Sequence, residues 1–74
     1  MKYEVKNLKH SKGSVFDLDI AKVVLSNGIS VDVTYDRKQN NLIVHGWYKL
    51  DDNAHKQLRE ELSRFFADRM RKAS

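Results

Sequence analysis

Cysteine and proline are both missing from the 74 residues, glycine occurs three times and tryptophan once. Without cysteine neither a disulfide framework nor a thiolate metal site can form, so the fold must rest on its hydrophobic core. For a chain this short such a core is only just sufficient. With no proline, turns must be signalled by Gly, Asn, Asp and Ser. No apolar run approaches the roughly 18 residues of a membrane span. The start, Met1-Lys2-Tyr3-Glu4, lacks the apolar segment of a signal peptide, so a cytoplasmic location and no membrane partner are expected.

Chemistry-bearing motifs are equally scarce. There is no Gly-rich phosphate loop and no nucleophile elbow, and the three histidines, His10, His45 and His55, show no His-x3-His spacing. A non-enzymatic protein with no metal, no cofactor and no small-molecule substrate is expected. Phosphodiester cleavage by His45 with basic residues is the weakest reading, since it needs only an acid, a base and a cation.

What the chain does contain is 41% hydrophobic and 32% charged residues, the balance of one folded domain over residues 1–74 rather than of a disordered segment. Asn27-Gly28 separates an apolar run from the alternation Ile29-Ser30-Val31-Asp32-Val33-Thr34-Tyr35, the signature of a two-residue hairpin. That turn would pair Val24 with Val31, Lys22 with Val33 and Ile20 with Tyr35. One face then collects Phe16, Leu18, Ile20, Val24, Ile29, Val31, Val33 and Tyr35, with Lys22 as the one misfit. The cluster Asp36-Arg37-Lys38-Gln39-Asn40-Asn41 closes a further hairpin that faces Tyr35 with Leu42, Val33 with Val44 and Val31 with Gly46, bringing Tyr48 and Leu50 inward. Ser11-Lys12-Gly13-Ser14 closes the first one, pointing Tyr3 and Val5 inward.

After Leu50, Asp51 or Asp52 can cap a helix whose stripe is Ala54, Leu58, Leu62, Phe65 and Phe66, with Met70 at its edge. Glu60, Arg64, Asp68 and Lys72 form an alternating i,i+4 ladder on the solvent side. The expected fold is therefore α+β: a four-stranded antiparallel meander (about 1–10, 15–26, 29–36 and 42–50) packed on one face by a single C-terminal helix (about 52–72).

The formal charge of +4 favours anionic partners, and the meander would sort it. The first and third connections lie at one end, and the helix runs back toward them. Lys9, Lys12, Arg37, Lys38, Arg69, Arg71 and Lys72 should converge there with His10. Those seven cations would face only Asp36 and Asp68, a pole of about +5 beside a remainder near zero. A small module that binds nucleic acid through phosphate contacts is the leading expectation. The alternative is a regulatory or protein-interaction module that docks on a protein partner, or forms a homodimer, through an outer-face cluster of Val23, Leu25, Ile43 and Trp47. On the same face His45 should lie opposite Asp32.

Overall fold

Strands β1 (Tyr3–Lys12), β2 (Asp17–Leu25), β3 (Ser30–Asp36) and β4 (Asn41–His45) form one antiparallel sheet in the order β1-β2-β3-β4, followed by helix α1 (Asp52–Ala73). The computed structural model describes residues 2–73. This is the expected ββββα arrangement, with α1 laid across one face. Leu58, Leu62 and Phe66, spaced i, i+4 and i+8, are fully buried against Val23, Val33 and Tyr35. The Phe66 ring stacks on Tyr35 at 5.5 Å. Asp51 is the cap: its Oδ1 accepts the Ala54 N–H at 2.7 Å and its carbonyl accepts the His55 N–H at 2.9 Å. The Glu60-Arg64-Asp68-Lys72 ladder is exposed. Among the described residues no helix is long and apolar enough to cross a membrane.

The β2–β3 hairpin differs from expectation in one residue, and the difference inverts a strand. The Leu25 N–H bonds to the Ile29 carbonyl at 2.8 Å and the Gly28 N–H to the Leu25 carbonyl at 3.0 Å, so the loop is Ser26-Asn27-Gly28, three residues long. Gly28 has φ 91° whereas Asn27 is not among the positive-φ residues, which rules out the two-residue turn that needs both. It is a type I turn closed by a glycine bulge, with Asn27 Oδ1 accepting the Ile29 N–H at 3.0 Å. The pairs become Val23 with Val31, Ala21 with Val33 and Asp19 with Tyr35. Asp19, Ala21, Val23 and Leu25 therefore face α1, while Leu18, Ile20, Lys22 and Val24 turn outward. The Lys22 misfit disappears with the shift.

β1 follows its neighbour through a bulge. Lys6 pairs with Lys22 but Lys9 with Ile20, so Asn7 and Leu8 together oppose Ala21, with Asn7 at φ 54°. The bulge keeps Tyr3, Val5 and Leu8 all packed on the core. The first turn also lies later than 11–14. β1 continues to Lys12, the Gly13 N–H bonds the Phe16 carbonyl at 2.9 Å, and Val15 projects from the tip at 80% exposure. A Cβ on Gly13 would meet the part-exposed Phe16 ring at 2.5 Å, so a larger residue there would displace that ring.

The β3–β4 register is as expected, Tyr35 with Leu42 and Val33 with Val44. β4, however, stops at His45 instead of running to 50. Gly46 is not a gap within a strand but its terminus, at φ 78°, and Trp47–Lys49 form a short 3-10 turn with no buried residue. Tyr48, expected inside, is exposed.

Candidate nucleic-acid interface

The two loops at the far end of the sheet are fastened by Arg37. Its backbone N–H bonds the Asp17 carbonyl at 2.9 Å, and its guanidinium grips the Asp19 carboxylate from Nε and Nη2, both at 2.9 Å. Asp19 is wholly buried, so the fork geometry supplies the compensation a desolvated carboxylate requires. Asp19 also raises the Arg37 pKa above its ordinary value, chiefly through this hydrogen bond. Asp36 Oδ1 accepts the Lys38 and Gln39 N–H groups at 3.0 and 3.3 Å, and the Tyr35 hydroxyl donates to Asn40 Oδ1, with Asn40 at φ 53°. Asp36 and Asn40 thus shape the turn. Lys38 Nζ reaches the Ser14 carbonyl at 3.5 Å, linking the third connection directly to the first.

Beside this clasp, His10 Nε2 donates to Asp17 Oδ1 at 2.5 Å. That bond, helped by the charges of Arg37 and Lys12, holds the Asp17 carboxyl below its usual value against the opposing effect of burial. The Tyr35 phenol is pushed up, first by burial and then by the charge of Asp19, with Arg37 opposing.

Of the seven expected cations, Lys12, Arg37 and Lys38 come together at the joined loops. Arg69, Arg71 and Lys72 occupy the last turns of α1, directed to the same end by the Phe66–Tyr35 stack. Arg71 pairs with Asp68 at 2.6 Å, and Arg69 Nε is buried without a hydrogen-bond partner. Lys9 is the exception, standing on the outer face across from Ile20. Two carboxylates at the start of β2, Asp17 and Asp19, also belong to this end, and the inversion turns Asp19 to the inner face against Arg37. Six cations now meet four carboxylates, which lowers the pole from about +5 to about +2 of the chain's +4. The signal for that inversion was Lys22, whose charge favoured the odd-numbered residues of β2 as the buried set.

The expected outer-face cluster does not assemble. Val23 and Leu25 lie in the core, and Trp47 leaves the sheet to stack on His55 of α1 at 5.8 Å and 20°. Only Ile43 remains on the outer face, 44% exposed, beside Leu18, Ile20 and Val24. His45 does lie across from Asp32, but its Nε2 is bonded to Thr34 Oγ1 at 3.0 Å. Among the described residues no three His, Asp or Glu side chains gather as metal ligands would. No protein-family model matches the chain, and comparison with curated proteins and with solved structures likewise finds no match.

Proposed function

We propose that this protein is a non-enzymatic nucleic-acid-binding module that contacts backbone phosphates through the end where the β1–β2 loop, the β3–β4 turn and the C-terminus of α1 lie. The observation that carries the reading is that six cations gather at that one end, leaving about +2 of the +4 net charge there once its four carboxylates are counted. Arg37 acts there as a positioning residue, since its side chain is committed to Asp19 and it fixes the turn that presents Lys38. Phosphate contacts fall to Lys12, Lys38, Arg69, Arg71 and Lys72. Five such contacts give a slope of roughly −4 to −5 for log affinity against log salt on duplex DNA.

Binding of a labelled duplex, measured by anisotropy between low and physiological salt, tests the proposal. Lys12→Glu with Lys38→Glu should weaken binding by at least tenfold and flatten the slope by about two phosphates. Salt-insensitive binding, or equal affinity in the charge-reversed protein, would sink it.

A second reading has its own support in the outer face, where Ile20 of β2 and Ile43 of β4, on either side of Thr34 in β3, stay about two-fifths exposed. Self-association through Leu18, Ile20, Val24 and Ile43 would cover them. Ile20→Lys should then convert a dimer to a monomer in light scattering.

A further inference from the structure

We infer that the 3-10 turn after β4 is a stacking site for an unpaired nucleobase, so that the protein takes single-stranded nucleic acid at the end opposite its basic pole. The inference goes beyond the phosphate-binding end and stands on separate residues.

Gly46, at φ 78°, stops β4 and swings the next residues out of the sheet. Trp47 and Tyr48 are left 57% and 73% exposed, the most open aromatic rings among the described residues. Large rings are normally drawn into a core of this size, so two adjacent ones held in water are informative. They are not loose. Trp47 is backed by His55, and Tyr48 meets Trp47 edge-on at 6.3 Å. A ring supported on one side and open on the other is the form of platform on which bases stack.

Beside the turn lies a cleft of about 400 Å³ whose lining includes Lys22, Asp32, His45, Tyr48 and Lys49. Lys22 points outward only because β2 is inverted, and it brings a cation within the same cleft as the exposed Tyr48 ring. Lys22 and Lys49 supply phosphate contacts on either side of a stacked base, and Asp32 offers an acceptor to base amino groups. The arrangement selects single strands, because bases within a duplex are already stacked on each other and do not present a face to a protein ring.

Trp47 is the chain's sole tryptophan and reports directly. A ten-nucleotide mixed-sequence strand should quench its fluorescence saturably, and a hairpin duplex of the same sequence should bind this site at least tenfold more weakly. Because Trp47→Ala removes the His55 stack, Tyr48→Ala is the decisive variant: it should lower single-strand affinity about tenfold with an unchanged circular dichroism spectrum. Lys12→Glu with Lys38→Glu should leave the quenching amplitude intact, which separates this site from the basic end. Absence of quenching at low salt, equal quenching by heparin, or full affinity in Tyr48→Ala overturns the inference. So does a change in oligomeric state on Tyr48→Ala, which would assign the rings to a protein contact.

Discussion

Asp19 is the residue whose position costs the fold most if its partner is lost. A carboxylate with no solvent access is tolerated here because Arg37 meets it with two parallel hydrogen bonds. Arg37→Ala should therefore destabilise the protein by about 3–5 kcal/mol in urea denaturation, while the paired change Asp19→Leu with Arg37→Met should recover most of that loss. Tyr3 and Tyr35 make a second residue-scale prediction. Burial raises both phenol pKa values above 10.0, with Glu61 adding to the effect at Tyr3 and Asp19 at Tyr35. The folded chain thus holds these protons to higher pH than the unfolded chain. Their contribution to stability is complete below about pH 10 and is lost as pH rises through the folded values. Absorbance titration at alkaline pH should show late-ionising tyrosine, reduced in Tyr35→Phe, and stability should fall above pH 10 less steeply in that variant.

At the scale of elements, the Ser26-Asn27-Gly28 loop sets the faces of β2 and so decides what each side of the sheet displays. Gly28 sits at φ 91° with no atom within 4 Å of the place a Cβ would take, so the cost of substitution is purely conformational. Gly28→Ala should lower stability by about 1–2 kcal/mol and Gly28→Asn by less, measured by thermal denaturation, since asparagine tolerates the left-handed region better. Element by element, legibility followed the strength of the periodic signal. The Leu58-Leu62-Phe66 stripe and the pairing of Tyr35 with Leu42 could be read from spacing alone. The end of β4 could not, because Gly46 is compatible with both an interrupted strand and a terminus, and only its positive φ distinguishes them. For that reason the sequence places Trp47 on the sheet face and Tyr48 in the core, whereas both belong to the 3-10 turn.

For the molecule as a whole, one sheet, one helix and one continuous core imply a single cooperative unit. Far-ultraviolet circular dichroism should report α1 and near-ultraviolet circular dichroism the Tyr35–Phe66 stack, and their urea transitions should coincide; separate midpoints would mean that α1 detaches before the sheet melts. The same architecture divides the surface by end. Lys12, Lys38 and the last turn of α1 crowd one extreme of a body 37 Å long, while the Trp47–Tyr48 turn occupies the other. Between the two ends, Lys9 and Lys22 stand on the outer face.

Spacing and composition alone determined the order of strands before helix, the buried stripe of α1 and the β3–β4 register. A period of two states which residues of a strand share a face, yet it is silent on which face that is. The choice rests on loop length, and one added residue between Leu25 and Ile29 reverses the entire strand. Only the tertiary structure therefore decided that Val23 and Leu25 fill the core, that Asp19 is buried against Arg37 and tempers the basic end, and that Lys22 stands outside beside Tyr48.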